Sequence, residues 1–280
     1  MTTNNSNTNT IILLTGSNTG IGYATAQALL TAPLPSRPVT IILTSRTLDK
    51  AVKASQDLKD DQAFLDAWNG GCQVVPKQLD IDDEASVKAL HKDLKEQFGR
   101  VDVLVNNAGA HYDFQVASGK MTTREAFIGS FTTNVVSTHL LTESFMDLLF
   151  SSDSPRLIFL SSGLSSLGDH SNPHVPVNHS PPAGWPKQPI FQTPTYRTSK
   201  TAMNMMILEW CRTLKNDNVK IHILDPGFLS TTLGGAQPDV LKEKGAKDPI
   251  EGGRFIRSII EGERDGDQGK LIGSEGIIPW

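Results

Sequence analysis

The stretch Thr15-Gly16-Ser17-Asn18-Thr19-Gly20-Ile21-Gly22 lies between an apolar run at residues 11–14 and a helical stretch at residues 23–30. Glycines allow bare backbone to approach a phosphate group, and the first-turn N–H groups of a helix donate hydrogen bonds to it. A glycine-containing turn without a ligand is the alternative, since a glycine pattern alone is weak evidence. Its place directly after the first strand favours nucleotide binding, with contacts expected from Gly16, Asn18, Gly20, Ile21 and Gly22.

Short apolar runs rich in β-branched residues recur along the chain. They are IILL (11–14), VTIIL (39–43), CQVV (72–75), VDVLV (101–105), RLIFL (156–160), VKIHIL (219–224) and KLI (270–272). Most are separated by longer stretches with helical spacing, such as Val87, Leu90, Leu94 and Phe98. Strands that alternate with helices and are apolar on both faces indicate a parallel sheet covered on both sides. We therefore expect residues 11–280 to form one α/β domain with a doubly wound, Rossmann-type parallel sheet.

Bulk composition narrows the classes of partner. The 26 basic and 30 acidic residues give a net charge of −4, which does not suggest nucleic acid or an anionic membrane as a partner. The two cysteines, Cys72 and Cys211, are far apart and fit a reducing compartment better than a disulfide scaffold. Their spacing matches no metal motif, and we predict no metal site.

The polar, uncharged residues 1–10 lack the features of an export signal and are expected to form a disordered lead-in. The apolar runs are about strand length, well short of the roughly 20 residues that a spanning helix needs. A cytoplasmic location is therefore the expectation.

Two segments break the alternation of strands and helices. Residues 163–194 are rich in Ser, Pro, His and Gly, and they are too long for an ordinary connection. Loops of that length in compact domains are usually functional or disordered. Residues 233–248 are also irregular, and we expect the segment 229–248 to help close a substrate site.

The residues after the second strand bear on the choice of cofactor. An NAD site places an acidic residue about 20 residues beyond the glycines to hold the ribose hydroxyls. Ser45 occupies that place, and Arg46 offers a cation suited to a 2′-phosphate. A surface arginine at a strand end is the simpler alternative. Asp49 falls beyond the strand and is expected to start a helix, so the pattern favours NADP.

Polar and small residues follow three further strands. Asp80 can accept a hydrogen bond from an adenine amino group while Ile81 packs on the ring, although Asp80 fits equally well as the N-cap of a helix over 83–98. After the fourth and sixth strands, small residues and turns let backbone reach a cofactor in the crevice, although plain turns have the same composition. The residues concerned are Asn107, Ala108, Gly109, Pro226, Gly227, Phe228 and Thr231.

Tyr196 and Lys200 lie four residues apart at the start of an apolar helical stretch, and therefore share one helix face. Reduction of a carbonyl by hydride leaves an alkoxide that must receive a proton. A phenol with a pKa of about 10 is a poor partner near neutral pH, and a neighbouring ammonium lowers that pKa. The pair can then serve as acid for reduction and base for oxidation. In isolation a half-buried tyrosine beside a lysine would be the better interpretation, but the glycine stretch reverses that preference.

Two more residues are candidates for the reaction. Ser162 follows the strand RLIFL, and its hydroxyl can hold a carbonyl oxygen beside Tyr196. Chemistry alone does not separate it from Ser161. Asn134 lies inside a helical stretch, where asparagine is mildly unfavourable and often faces solvent or kinks the helix.

Taken together, these motifs resemble the short-chain dehydrogenase/reductase family over about residues 10–280. The glycine stretch matches TGxxxGxG, residues 106–109 match NNAG, and residues 226–231 match PGxxxT. The resemblance implies Ser162 as the working serine, Asp80 and Ile81 at the adenine, and NADP with Arg46. It also implies that Asn134 holds a water that relays protons toward Lys200.

Within that family the chain is similar to monomeric NADPH-dependent carbonyl reductases. QLDIDD (78–83), VDVLVNNAG (101–109), GWP (184–186) and PW (279–280) carry the similarity, as does the long stretch between Ser162 and Tyr196. In those reductases the insertion covers helix surface that other members use for pairing. The resemblance therefore implies a monomer, with a dimer as the alternative.

We therefore expect an oxidoreductase that moves a hydride between NADPH and a carbonyl or alcohol, namely a ketone, aldehyde or quinone. Ser162, Tyr196, Lys200 and Asn134 are its expected catalytic residues, and Tyr196 and Lys200 also contact the cofactor. A non-catalytic NADP-binding sensor or scaffold, and a redox-neutral isomerase or dehydratase, are the alternatives on the same fold.

Overall fold

The computed structural model describes residues 9–31, 36–187, 192–235 and 237–280. Eight strands are found in this part of the chain: β1 (Thr10–Leu14), β2 (Val39–Ser45), β3 (Gln73–Gln78), β4 (Val103–Asn106), β5 (Arg156–Leu160), β6 (Lys220–Asp225), β7 (Leu271–Gly273) and β8 (Gly276–Ile278). The same residues form ten α-helices: α1 (Gly20–Leu29), α2 (Leu48–Asp60), α3 (Leu65–Asn69), α4 (Glu84–Gln97), α5 (Asp113–Ala117), α6 (Thr123–Phe131), α7 (Thr138–Phe150), α8 (Pro194–Thr213), α9 (Pro238–Glu243) and α10 (Pro249–Ile260).

The strands form one sheet in the order β3-β2-β1-β4-β5-β6-β7-β8. β1 to β7 pair in parallel, and Leu14 of β1 lies opposite Leu43 of β2 and Val105 of β4. The strand order reverses between β1 and β4, which is where ligands bind in open α/β sheets. The predicted doubly wound α/β sheet is confirmed.

The sheet separates two apolar cores, and successive residues of β1 alternate between them. Ile11 and Leu13 pack in the core that α4, α7 and α8 cover. Ile12 and Leu14 pack in the core that α1, α2 and α10 cover. Burial on both faces explains why the strands appear as continuous apolar runs in the sequence. Within the described ranges, no helix combines the length and apolarity needed to cross a membrane.

Helices α1 and α10 lie side by side with glycine at their contact. A Cβ on Gly253 of α10 would lie 2.3 Å from the carbonyl oxygen of Ala24 in α1. This close approach lets α10 fix the position of the helix that follows the glycine stretch.

The structure corrects several boundaries. Asn9 and Thr10 do not belong to a disordered lead-in, because Thr10 begins β1 and the buried Asn9 amide donates to Thr40 Oγ1 (3.1 Å) and Gly71 O (3.0 Å). Strand β8, which pairs antiparallel with β7, was not expected from the sequence. A π-helical turn, Thr132–Ser137, interrupts the predicted helical stretch between α6 and α7.

The two irregular segments contain short regular elements. The insertion 163–194 has single 3₁₀ turns at Gly163–Ser165 and Pro176–Asn178, and its last residue already begins α8. Helix α9 lies inside the segment predicted as irregular over 233–248. Residues 1–8 of the lead-in, 188–191 of the insertion and Ala236 of the second segment lie outside the described residues.

Candidate active site

The glycine stretch forms a cradle at the carboxyl end of β1. Gly16 and Gly20 have φ angles of 59° and 58°, a conformation that side chains with a Cβ rarely adopt. Thr19 is the N-cap of α1 and its side chain makes no capping hydrogen bond. The first-turn N–H groups of α1 therefore keep their donors for a bound anion. This arrangement fits the pyrophosphate of a dinucleotide.

Two residues that sequence reasoning passed over hold the cradle in place. The hydroxyl of Ser17 donates to Leu14 O (2.9 Å) and accepts from the amide of Thr44 (2.8 Å). The hydroxyl of Thr44 in turn accepts from Gly16 N (3.1 Å) and donates to Leu14 O (2.8 Å). Both side chains are buried, so they tie the ends of β1 and β2 together behind the turn.

The predicted cofactor residue Asn107 also braces the cradle. Its side-chain amide donates to Thr15 O (2.7 Å) and Gly16 O (3.0 Å). A Cβ on Gly22 would lie 2.7 Å from that same amide nitrogen, so the third glycine serves close packing. Ala108 sits against the first glycine, since a Cβ on Gly16 would lie 3.2 Å from Ala108 Cα.

Ser45 is the buried last residue of β2, and Arg46 follows it on the surface. Asp49 lies in the first turn of α2, as predicted, and so is not at the strand end. Among the described residues, the Arg46 guanidinium forms no ion pair with a carboxylate. A cation at a strand end that carries no acidic side chain is suited to bind a phosphate.

Asp80 and Ile81 follow β3 beside the end of β2, where Leu79 N donates to Ser45 O (2.8 Å). Asp80 is not the N-cap of α4, because Asp83 takes that position and accepts from Ala85 N. The Asp80 carboxylate instead accepts from Asp82 N (3.1 Å), which keeps it at the turn. Ile81 is largely buried in the core.

The loop after β6 reaches across to the cradle. A Cβ on Gly20 would lie 3.7 Å from Thr231, which places the predicted Thr231 opposite the phosphate turn. Gly227 has a φ of 89°, and Phe228 next to it is exposed. Lys247 N donates to Phe228 O (2.9 Å), so the two ends of the segment 229–248 are joined.

The three predicted catalytic side chains come together at the ends of β5 and α8. The hydroxyl of Ser162 lies beside the phenol of Tyr196. Lys200 Nζ lies 5.8 Å from the centre of the Tyr196 ring and donates to Leu160 O (2.7 Å). Ser161 points elsewhere, since its hydroxyl donates to Asn204 Oδ1 at 2.5 Å. The geometry thus places Ser162, rather than Ser161, beside the phenol.

The pKa values of this group differ from the expectation based on the Tyr–Lys spacing. Burial raises the pKa of Tyr196 to about 12, while the neighbouring Ser162 hydroxyl lowers it and the charge of Asp225 raises it. Burial also lowers the pKa of Lys200 to about 8. The expected lowering of the tyrosine pKa by the ammonium is therefore wrong for this structure, because desolvation is the larger effect. At neutral pH the phenol is protonated and the lysine is charged.

Asn134 is fully buried, so the solvent-facing alternative is wrong, and it lies in the π-helical turn that interrupts the helical stretch. Its amide nitrogen donates to Ala110 O (2.9 Å) and Ser199 Oγ (2.8 Å), and its oxygen accepts from Ala110 N (2.8 Å). A Cβ on Gly109 would meet both Asn134 Oδ1 (3.1 Å) and Lys200 Nζ (3.6 Å). The residue stands beside Lys200, and only its oxygen retains capacity for a relay water.

Asp225 is a site residue that sequence reasoning missed. Its carboxylate accepts from Gly227 N (3.2 Å) and lies against Gly163, which joins the turn after Ser162 to the turn after β6. Burial raises the pKa of Asp225, and the carboxylate in turn opposes ionisation of Tyr196. The available signal was an acidic residue at the carboxyl end of β6, directly before Pro226.

Comparison with known proteins agrees with this geometry. The family model for short chain dehydrogenase matches residues 10–240. The short-chain dehydrogenase/reductase eupG of a Phoma species is 37% identical, over 96% of this chain and 97% of that protein. The short-chain dehydrogenase/reductase tropE of Talaromyces stipitatus is 34% identical, over 95% of this chain and 96% of that protein.

Among solved structures, NADPH-bound carbonyl reductase from chicken fatty liver superposes with a TM-score of 0.73 at 23% identity. The match covers 97% of this chain and 99% of that one, and it shows the shared fold. The alcohol dehydrogenase of the archaeon Thermococcus sibiricus gives a TM-score of 0.69 at 23% identity, over 94% of each chain. On the strength of its cradle, its Ser–Tyr–Lys group and these full-length relatives, the chain belongs to the short-chain dehydrogenase/reductase family of oxidoreductases.

Proposed function

We propose that this protein is an NADP-dependent carbonyl reductase that acts on a ketone, aldehyde or quinone, or on the corresponding alcohol. The observation that carries the proposal is that Ser162, Tyr196 and Lys200 lie together at the sheet edge that also holds the phosphate cradle. A serine hydroxyl and a half-buried phenol side by side suit a carbonyl oxygen that becomes an alkoxide.

The cofactor would supply a hydride to the carbonyl carbon, held by the cradle, Arg46 and the loop from Pro226 to Thr231. The hydroxyl of Ser162 holds the carbonyl oxygen next to Tyr196. Because the pKa of Tyr196 is raised to about 12, the phenol is a proton donor at neutral pH. It donates its proton to that oxygen as negative charge develops there, and the alcohol results.

Lys200 and Asn134 complete the proposed machinery. The ammonium of Lys200 is held by Leu160 O and stabilises negative charge on the Tyr196 oxygen after proton transfer. Asn134 offers its oxygen to a water that would return a proton toward Lys200.

Replacement of Tyr196 by phenylalanine tests the reaction. Tyr196→Phe keeps the ring and removes the proton, so we expect NADPH binding to persist while turnover falls by about 10²- to 10⁴-fold. Turnover should be measured at the nicotinamide absorbance with a panel of carbonyls and alcohols. Wild-type turnover in the variant would contradict the proposal.

The same panel separates the alternatives. If the wild-type protein binds NADPH but does not oxidise it in the presence of any carbonyl, the protein is a sensor or scaffold. A product formed without net NADPH consumption would indicate an isomerase or dehydratase.

The preference for NADP rests on Arg46, on Ser45 in the place of an acidic residue, and on Asp49, which lies in α2 and not at the strand end. Chains bound to NADP or NADPH among the structural neighbours support it. Arg46→Ala should weaken NADPH binding by about 10- to 100-fold, the value of a charge-assisted hydrogen bond, and leave NADH binding unchanged. Arg212→Ala, an exposed arginine in the last turn of α8, is the matched control. Equal loss for both cofactors would argue against a phosphate contact.

The insertion supports a monomer as part of the proposal. Arg197 Nε donates to Leu164 O (3.0 Å) and Thr201 Oγ1 donates to Ser165 O (2.8 Å), so the start of the insertion covers one face of α8. Light scattering on the purified protein would reveal a dimer if that face pairs instead. The free cysteines Cys72 and Cys211 are consistent with the proposed cytoplasmic location.

A further inference from the structure

The first turn of α8 carries Tyr196, and the residue that precedes this helix does not cap it with its side chain. The preceding Thr193 makes no side-chain hydrogen bond to the turn. Helix N-termini leave backbone N–H groups without partners, and Pro194 contributes none. The amides of Thr195 and Tyr196 therefore need acceptors from elsewhere in the fold.

Asp113, the first residue of α5, supplies these acceptors from more than 80 positions away in the sequence. Its carboxylate accepts from Thr195 N (3.1 Å), Tyr196 N (3.1 Å) and Thr195 Oγ1 (2.9 Å). The residue is only 5% exposed. Burial alone would raise the pKa of Asp113, but the adjacent His111 imidazole and the hydrogen bonds from Thr195 and Tyr196 lower it overall. The group is thus a carboxylate at neutral pH, aimed at the dipole of the catalytic helix.

His111 connects the same carboxylate to the ring of Tyr196. Its Nε2 lies 3.3 Å from Asp113 Oδ2, and its side chain is 11% exposed. The imidazole and phenol rings are 4.6 Å apart between centres, with planes inclined at 32°. Phe114 flanks the imidazole on another side, with its ring centre 5.4 Å away. The imidazole is therefore held between a carboxylate and two aromatic rings.

The loop after β6 closes over this group. A Cβ on Gly234 would lie 2.7 Å from His111 O and 3.2 Å from the Phe114 ring, and Gly234 has a φ of 72°. The segment 229–248 thus packs against His111 and Phe114. This contact leaves His111 little freedom to move.

We infer that Asp113 and His111 form a positioning pair for Tyr196, in which Asp113 fixes the main chain of the tyrosine and His111 fixes its ring. The inference rests on the proposed role of Tyr196 as proton donor. A misplacement of about 1 Å at a reacting group can cost about 100-fold in rate. The position of the phenol must therefore be fixed for proton transfer to be fast. Both residues act through Tyr196, not on the substrate.

Three variants test the pair. Asp113→Asn keeps the size of the side chain, but its amide cannot accept from both backbone N–H groups. We expect kcat to fall by about 10- to 100-fold while the Kd for NADPH changes less than about twofold. His111→Phe keeps a ring against Tyr196 and should retain kcat within about threefold, whereas His111→Ala should lose about tenfold. Asp61→Asn is the matched control, since the exposed Asp61 caps only the turn Gln62–Phe64.

A second measurement does not depend on activity. Amide hydrogen exchange of the peptide containing Thr195 and Tyr196 should accelerate in Asp113→Asn and stay unchanged in Asp61→Asn. The pH profile of kcat should keep its shape in Asp113→Asn, because a positioning residue alters geometry and not the titrating group. Should Asp113→Asn fail to fold, the His111 pair of variants carries the test.

Wild-type kcat in Asp113→Asn with unchanged exchange would overturn the inference. A His111→Phe variant as slow as His111→Ala would also overturn it, since the imidazole nitrogens rather than the ring would then be required. If the wild-type protein reduces no carbonyl, the proposed function fails, and the exchange experiment still reports whether Asp113 caps α8. The two failures are thus distinguishable.

Discussion

Replacement of Gly253 by alanine measures how closely α10 holds the cradle helix α1. A Cβ at this position would lie 2.3 Å from Ala24 O, 2.5 Å from Ala24 C and 2.9 Å from Thr25 N. All three atoms belong to helix backbone and cannot rotate away. Since optimal carbon contacts are about 3.5–4.0 Å, the two helices must separate by about 1 Å.

Two opposing terms set the size of the effect. Overpacking of this kind costs about 1–3 kcal/mol, and rigid backbone on both sides favours the upper end of that range. Alanine is a better helix former than glycine by about 1 kcal/mol, which offsets part of the cost. The net loss of about 2 kcal/mol corresponds to a fall in Tm of about 4–8 °C for a domain of this size.

Thermal unfolding of the purified variant is the assay, with Gly266→Ala as the control. A Cβ on Gly266 would meet nothing within 4 Å, so that variant should melt within a degree or two of wild type, which is about the effect of a strain-free Gly→Ala change. Separation of the helices also displaces the first turn of α1, so Gly253→Ala should bind NADPH several-fold more weakly. A Gly253→Ala protein that melts at or above the wild-type temperature would refute the reasoning.

Two further predictions concern pH. Burial lowers the pKa of Lys200 to about 8 and raises that of Tyr196 to about 12. The kcat for reduction should therefore be flat below about pH 8 and fall above it, because the Lys200 ammonium is lost. A kcat that rises above pH 8 at saturating NADPH would contradict the proposed roles of Lys200 and Tyr196. Burial, with a smaller effect of Arg156, lowers the pKa of the fully buried His222 to about 4. The folded state then binds fewer protons than the unfolded state between about pH 6.5 and 4, so the free energy of unfolding should fall by up to about 3 kcal/mol as the pH falls across that window. Urea unfolding at several pH values measures this slope, and His222→Gln should abolish it.

The strands and the cradle were predictable because local chemistry specifies them. Parallel strands buried on both faces are apolar along their length, so seven of the eight appeared as β-branched runs. The glycine stretch was recognisable because a phosphate-binding turn needs bare backbone, which glycine supplies. Strand β8 escaped notice because three residues, Gly276–Ile278, are too few to show periodicity and their side chains are only partly buried.

The proposed catalytic residues could be picked out from the sequence, but their electrostatics could not. Tyr196 and Lys200 share a helix face by spacing alone. The direction of the Tyr196 pKa depends on how much of the phenol is buried and on the charge of Asp225, which lies 29 positions further along the chain. Asn134 was a candidate only through the family resemblance, because nothing in the sequence marks a π-helical turn.

The sequence alone determined the class of fold, the place of the phosphate turn and the identity of the phenol and ammonium, because each follows from residue type and short-range spacing. Only the tertiary structure decided which other residues hold the phosphate turn, the phenol and the ammonium in position. Asp113 caps the helix of Tyr196, Asp225 joins two turns, and Gly253 seats α10 on α1, all through contacts between segments distant along the chain. Such contacts depend on the three-dimensional path of the backbone, which no local pattern of residues encodes.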